Sequence, residues 1–214
     1  MSMDAGLVGH WKFNEKFGII ANDSSRYRNT GTLTGATHLP VWAEKGIKFD
    51  GVDDYVDAGN NASLDITSAV TIGAWINPTV SGSSVYRAIL AKRSLTSTNY
   101  ELYLKNDAGV NQGRLSWYSG LEVPSSFIPV TGSWTHVVAT VSGNNLIIYA
   151  NGVSVLNTTI AEILTNTGIL AIGQTGSIAF EHFKGSIDEV RIYNRALSTS
   201  EIKRNYEATK HNYI

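Results

Sequence analysis

Between residues 86 and 118 the chain carries aromatic, charged and amide side chains of the kind that bind sugars. Aromatic faces pack against sugar rings, and planar polar groups exchange hydrogen bonds with hydroxyls. The candidates are Tyr86, Arg87, Arg93, Asn99, Glu101, Tyr103 and Tyr118, with His182 in a later loop beside Phe180 and Glu181. Trp117 has suitable chemistry, but it alternates with Leu115 and could equally be a core residue. Because tyrosine favours strands anyway, region 80–118 as a whole is a firmer prediction than any one member.

Motifs for metal-dependent or nucleophilic catalysis are missing from the sequence. The chain has no cysteine, its five histidines form no H-E-x-x-H pattern, and no G-x-S-x-G elbow occurs. Asp50, Asp53 and Asp54 form an acidic group, but the remaining oxygens and the late glutamate of an EF-hand are absent. Aspartate and glycine are ordinary turn formers, so we interpret residues 50–54 as a turn.

Charge and hydropathy argue against two classes of partner. The 214 residues include 17 basic and 18 acidic side chains, a net charge of −1, with no basic stripe to bind nucleic acid. No apolar run is long enough to span a membrane. The opening MSMDAG shows no signal peptide, and we expect residues 1–5 to be an expression-derived start or disordered. Composition is uniform, so we predict one domain over residues 1–214.

Short strands separated by turn residues dominate the rest of the pattern. Strands are predicted at 7–13, 46–49, 55–58, 70–77, 88–92, 100–105, 114–118, 134–141, 146–150, 153–157, 170–173 and 183–193. Asn151-Gly152 is a strong hairpin signal. Ser198 and Glu201 have the spacing of a capping box, which predicts a short helix after the last strand. The pattern indicates an all-β sandwich or jelly roll with one C-terminal helix.

Alternation within the strands assigns side chains to faces. In residues 100–105, Glu101 and Tyr103 fall on the face opposite Leu102 and Leu104. In residues 114–118, the polar and aromatic side chains again oppose the apolar ones, and in 134–141 the cleaner core face is Val137, Ala139 and Val141. The second face of these two strands, which includes Glu101, Tyr103 and Tyr118, is therefore predicted to be polar and aromatic.

Seven segments, in order along the chain, resemble the LamG-like domains of the concanavalin A-like lectin and glucanase superfamily. They are GLVGHWKFNE, ANDSSRYRNTGTL, GIKFDGVDDYVDAG, AVTIGAWINP, SWTHVVATVSGNNLIIYANGV, LAIGQTG and GSIDEVRIYNRALSTSEI. The resemblance implies a two-sheet antiparallel jelly-roll sandwich. It also implies that the polar and aromatic side of the concave sheet binds sugar, and that Trp11, Trp75 and Trp134 are packing residues.

The same resemblance implies a structural calcium ion at the sandwich edge. Asp23, in the loop after the first strand, and Asp188, in the last strand, are the candidate ligands. Calcium binds several carboxylate and carbonyl oxygens, which the 22–29 loop could complete. Asn14 stands where the family usually has an aspartate, which weakens a metal role there. The alternative is that Asp23 caps a turn and Asp188 accepts a backbone hydrogen bond.

Related glucanases take their carboxyl groups from one strand with the spacing E-x-D-x-x-E, which this sequence lacks. Asp188 and Glu189 are adjacent, so a regular strand would point them to opposite faces. We therefore predict that the chain is not an enzyme. A hydrolase with an unusual site stays an alternative, with Glu101 and Glu122 as its acids.

These expectations favour a non-catalytic carbohydrate-binding or adhesion module of a larger extracellular or cell-surface protein. The alternative is a structural or protein-interaction domain of a surface or virion assembly, whose partner would be a surface protein rather than a glycan. An apolar flat face would favour protein contact, and a groove with exposed aromatics would favour sugar.

Overall fold

The computed structural model describes residues 4–35, 39–79, 86–94, 97–105, 113–161, 167–176 and 181–214. These residues form sixteen strands: β1 (Leu7–Trp11), β2 (Ile20–Ala21), β3 (Gly31–Thr34), β4 (Val41–Trp42), β5 (Ile47–Asp50), β6 (Tyr55–Asp57), β7 (Ala69–Pro78), β8 (Tyr86–Arg93), β9 (Thr98–Lys105), β10 (Arg114–Tyr118), β11 (Glu122–Pro124), β12 (Thr135–Ser142), β13 (Asn145–Ala150), β14 (Val153–Thr159), β15 (Leu170–Ile172) and β16 (Lys184–Tyr193). One α-helix, α1 (Thr199–Thr209), follows them, and short 3-10 turns lie at Ala62–Leu64 and Lys210–Asn212. No helix in this part of the chain is long and apolar enough to cross a membrane.

The strands form two antiparallel sheets. The first has the order β14-β13-β12-β7-β16-β5-β4, with β1 also paired to β16, and the second has the order β11-β10-β9-β8-β15-β6-β3-β2. Strand β16 pairs with β5 through its first half and with β1 through its second half. Its register against β7 shifts between Asp188 and Arg191, around Glu189, whose φ is +50°. The predicted two-sheet antiparallel sandwich with a short C-terminal helix is confirmed.

A cluster of buried apolar side chains fills the space between the sheets. The first sheet contributes Val137 and Ile187, and the second contributes Tyr100, Leu102 and Trp117, all almost completely buried. Burial of such side chains from both sheets is the main force that holds a sandwich together. Trp117 is therefore a core residue, which settles the alternative left open by its alternation with Leu115.

Helix α1 and the residues after it cover the outer face of the first sheet. The helix begins at the Ser198 cap, where Ser198 and Glu201 form the predicted capping box. Trp75, on the outer face of β7, stacks on Tyr213 with ring centroids 4.1 Å apart, and its Nε1 donates to Thr209 Oγ1 at 2.9 Å. A second apolar cluster, made of Leu7, Val138, Tyr149, Tyr193, Leu197 and Ile202, seals this contact.

Sequence pattern identified the long strands better than the short ones. Each predicted strand overlaps an observed one, but the short strands β2, β3, β4 and β11 were not predicted. At the start of the chain, residues 1–3 lie outside the described residues. Ala5 lies within them, and its carbonyl accepts a hydrogen bond from Arg195 Nε at 2.7 Å.

Candidate functional site

The outer face of the second sheet carries the polar and aromatic residues that alternation predicted. Strands β8, β9, β10 and β11 lie side by side. Antiparallel register sets Tyr118 opposite both Glu101 on β9 and Glu122 on β11, and sets Tyr103 opposite Ser116. Directly opposed residues point to the same side of a sheet. These side chains therefore meet on the face that points away from the core.

Seven of these residues surround a pocket of about 140 Å³. Its lining consists of Tyr86, Arg93, Glu101, Tyr103, Tyr118, Glu122 and Glu181. Six of them come from the four strands, and Glu181 comes from the segment just before β16. The pocket thus combines three aromatic rings, three carboxyl groups and one guanidinium.

Arg93 occupies the centre of the charged part of the pocket. Its Nη1 lies 3.3 Å from Glu101 Oε2 and 3.6 Å from Glu181 Oε2. Its guanidinium carbon also lies 4.8 Å from the centroid of the Tyr118 ring, a cation–π distance. One guanidinium therefore bridges two carboxyl groups and orders an aromatic face.

Glu101 is the most perturbed acid of the pocket. Its burial, reinforced by the nearby charge of Glu181, raises the pKa of Glu101 to about 8, although Arg93 acts in the opposite direction. Burial also raises the pKa of Glu181, and Arg93 opposes that shift as well. Near neutral pH the Glu101 carboxyl therefore holds its proton for most of the time and can donate a hydrogen bond as well as accept one.

The other end of the pocket is aromatic. Tyr86 and Tyr103 meet edge to face with ring centroids 5.4 Å apart. The Tyr86 hydroxyl donates to Glu122 Oε2 at 3.1 Å, and Lys105 forms an ion pair with the other oxygen of Glu122. These contacts fix the orientation of Glu122 and Tyr86 before any ligand arrives.

Five of the eight predicted contacts line this pocket: Tyr86, Arg93, Glu101, Tyr103 and Tyr118. Arg87 does not line it. Its Nη1 instead donates to the Thr79 carbonyl at 3.1 Å. Asn99 lies two residues before Glu101 on β9, fully buried, and its amide atoms have no hydrogen-bond partner among the described residues. His182 is buried outside the lining, and Phe180 lies outside the described residues.

Two lining residues were not among the predicted sugar contacts. Glu122 entered the sequence analysis only as a possible catalytic acid, and Glu181 only as a neighbour of His182 in a later loop. Glu122 could have been found by continuing the alternation of β10 across the Ser119–Gly120 turn. No local signal places Glu181, because its position depends on a long-range contact with β8, where its carbonyl accepts from the Ala88 N–H.

Both carboxylate oxygens of Asp23, a predicted calcium ligand, accept hydrogen bonds from neighbouring groups of the protein. Its Oδ1 accepts from the backbone N–H groups of His10 and Ser25 at 2.8 and 2.7 Å. Its Oδ2 accepts from the Ser25 hydroxyl and the Asn29 N–H, both at 2.7 Å. A carboxylate has about four lone-pair positions, and all of them accept hydrogen bonds here, while calcium binding by Asp23 stays a prediction. This arrangement matches the turn-capping alternative.

Asp188 is hydrogen-bonded through both oxygens. Oδ1 accepts from the Glu189 N–H at 2.9 Å and Oδ2 from the Tyr213 hydroxyl at 2.7 Å. Burial raises the pKa of Asp188 to about 7, against the effect of the Tyr213 hydrogen bond. Because the strand bulges at Glu189, Asp188 and Glu189 line the same surface depression, and the expectation that they face opposite sides is wrong. Calcium binding here stays a prediction.

The 50–54 segment has the hydrogen bonds of a turn. Asp50 Oδ1 accepts from the Val52 N–H at 2.7 Å, and Asp54 Oδ2 accepts from the Asp50 N–H at 2.8 Å. Oxygens of Asp50, Asp53 and Asp54 lie within 4.8 Å of one another. The geometry agrees with the turn interpretation, since side-chain bonds to the backbone two residues on are typical of aspartate in turns.

The fold and this pocket define the chain as a two-sheet jelly-roll sandwich with one open, polar sheet face. A family model of the concanavalin A-like lectin/glucanases superfamily, Laminin_G_3, matches residues 50–203. The chain belongs to this family. A comparison with curated proteins finds no match.

Solved structures share the fold at low sequence identity. Domain 4 of AbnA, a GH43 extracellular arabinanase from Geobacillus stearothermophilus, in complex with arabinotriose, is 21% identical with a TM-score of 0.70, over 94% of this chain and 98% of that one. The binding domain of Paraclostridial Mosquitocidal Protein 1 is 16% identical with a TM-score of 0.72, over 97% of this chain and 53% of that one. Trypanosoma rangeli sialidase in complex with sialic acid is 16% identical with a TM-score of 0.73, over 96% of this chain but only 33% of that one.

Proposed function

We propose that the chain is a non-catalytic carbohydrate-binding module and that its ligand site is the pocket on the outer face of the second sheet. The observation that carries the proposal is the lining itself, in which Tyr86, Tyr103 and Tyr118 surround hydrogen-bonding groups on an open sheet face. A site that combines aromatic rings with a few convergent polar groups suits a ligand with apolar ring faces and many hydroxyls. The lining is neither flat nor apolar, which favours sugar over a protein partner.

The comparisons support a lectin-like role. The chain belongs to a lectin and glucanase superfamily, and one similar domain was solved with arabinotriose bound. In two other similar structures the matching part is about half and about a third of the chain. This supports the proposal that the present fold serves as a module of a larger protein that works outside the cell or at its surface.

A glycan array tests the proposal directly. The protein is applied with calcium and, separately, with chelator, and bound glycans are recorded. We expect at least one group of related glycans to be retained, and retention to be lost in Tyr118→Ala. No binding to any glycan in either condition would contradict the proposal.

One observation favours a second candidate, a glycoside hydrolase. Glu101 and Glu122 both line the pocket, and a carboxyl with a pKa of about 8 suits a general acid. The array hits decide between the two, because a hydrolase would shorten a bound oligosaccharide and Glu101→Gln would stop it. A binding module leaves the oligosaccharide intact.

A further inference from the structure

We infer that the pocket selects uncharged sugars and rejects sugars that carry a carboxylate. The inference rests on the proposed carbohydrate-binding function and adds the charge class of the ligand. Recognition of a sugar carboxylate needs a cation that is free to pair with it, as in a bidentate arginine contact. An uncharged sugar needs donors, acceptors and an aromatic face.

The cation of the pocket lining is already engaged. Arg93 lies within 3.3 Å of a Glu101 oxygen and 3.6 Å of a Glu181 oxygen, and its guanidinium packs on Tyr118. An incoming carboxylate would have to displace one of these glutamates. A displaced Glu181 would remain largely buried without its counter-charge, and a displaced Glu101 would lose a buried hydrogen-bond partner, both of which are costly.

A second cation, beside the pocket, is engaged as well. Lys105 pairs with Glu122, whose second oxygen accepts the Tyr86 hydroxyl. The pocket lining itself therefore holds three acids and a single base, and both cations that contact these acids are paired with them. A surplus of acids repels an acidic ligand before contact and weakens its affinity once it is bound.

The same groups suit an uncharged sugar. Hydroxyl groups both donate and accept, so a sugar can bond to glutamate oxygens and to the guanidinium without breaking the Arg93 pairs. Because Arg93 and Lys105 already pair with the acids of the site, a cationic amino sugar gains nothing over an uncharged one.

Matched sugar pairs test the inference on the full chain at pH 7 and low salt. The probes are lactose against 3′-sialyllactose, galactotriose against the trimer of galacturonic acid, and the N-acetylglucosamine trimer against the glucosamine trimer. Affinities are measured by calorimetry. In either pair with an acidic member, we expect the uncharged sugar to bind at least tenfold more tightly, and we expect the glucosamine trimer to bind no more tightly than the N-acetylglucosamine trimer.

A charge variant separates the electrostatic cause from sugar shape. Glu122→Gln removes one acid and its ion pair with Lys105, so discrimination against the acidic member should shrink severalfold. Glu207→Gln, which removes an exposed acid on helix α1, is the matched control and should leave the ratio unchanged. An acidic member that binds as tightly as its neutral counterpart, or a glucosamine trimer that binds more tightly than its N-acetylated counterpart, would overturn the inference while leaving carbohydrate binding intact. Absence of binding to every probe and to the array overturns both proposals.

Discussion

Glu101 lines the pocket although its side chain is almost completely buried, with only 2% of the residue exposed. Its folded-state pKa of about 8 stands well above the ordinary value of 4.5, so the folded protein keeps this proton over a range in which the unfolded chain releases it. Stability must then fall as pH rises, because the folded state binds more protons there.

The first prediction concerns this pH dependence. The stabilisation linked to Glu101 is fully present below about pH 4.5 and is lost as pH rises towards 8. Asp188, with a pKa of about 7, acts in the same direction. Urea midpoints measured between pH 5 and 8.5 should therefore decline in the wild type and decline less steeply in Glu101→Gln. Glu207→Gln is the control, and a Glu101→Gln slope as steep as the wild type would show that Glu101 does not titrate in this range.

Residue types alone predicted much of the pocket, because strand alternation is a local property. It placed Glu101 and Tyr103 opposite Leu102, and the structure brings both to the pocket. Arg87 shows the limit of that reasoning. Its chemistry suits a sugar site, but it falls on the other side of β8 from Tyr86 and is anchored to the Thr79 carbonyl.

At the scale of elements, the C-terminal segment acts as a cover for the first sheet. Tyr213 stacks on Trp75, and its hydroxyl donates to Asp188 Oδ2 at 2.7 Å. The capping box at Ser198 was visible in the sequence, but where the helix docks was not. Docking depends on long-range contacts of Leu197 and Ile202 with the first sheet.

Tyr213→Phe tests this cover. The ring stack on Trp75 is retained, but Asp188 loses a buried hydrogen-bond partner, so the free energy of unfolding should fall by about 1–3 kcal/mol. Tyr206→Phe is the control, because Tyr206 stacks on the same indole and its hydroxyl makes no hydrogen bond to the described residues. Chemical denaturation measures both. Equal stability of Tyr213→Phe and wild type would show that the hydroxyl contributes nothing.

The same preparation decides the role of calcium. An ion that binds only the folded state raises the melting temperature by mass action. If Asp23 and Asp188 only accept hydrogen bonds and bind no ion, chelator should leave the melting curve of protein previously loaded with calcium unchanged. A chelator-induced decrease that Asp188→Ala abolishes would establish the ion.

The edge of the sandwich was the hardest part to predict. Alternation assumes a regular strand, and the bulge at Glu189 breaks it, since that residue takes a positive φ. At this edge the backbone of Gly46 also packs closely against β16. Its φ is +71°, and a Cβ at that position would lie 2.2 Å from the Ile187 carbonyl oxygen. Such contacts between distant segments leave no local pattern in the sequence.

Across the whole molecule, the outer faces of the two sheets differ in how far they are covered. The first is closed by helix α1 and the residues after it, and the second exposes a charged, tyrosine-lined pocket. The core between them was predictable from hydrophobic alternation. The difference between the two outer faces was not predictable, because it depends on the docking of α1 and on the placement of Glu181.

The most direct test of the central claim is the affinity of Tyr118→Ala for the best glycan of the array. Tyr118 is partly exposed on the pocket face, so the variant should fold and lose its aromatic contact. Tyr206→Ala removes a comparable ring from helix α1, which covers the other sheet, and controls for general destabilisation. By calorimetry we expect Tyr118→Ala to bind about tenfold more weakly or worse, a loss of about 1.4 kcal/mol, with Tyr206→Ala unchanged. Wild-type affinity in Tyr118→Ala would contradict a sugar site in this pocket.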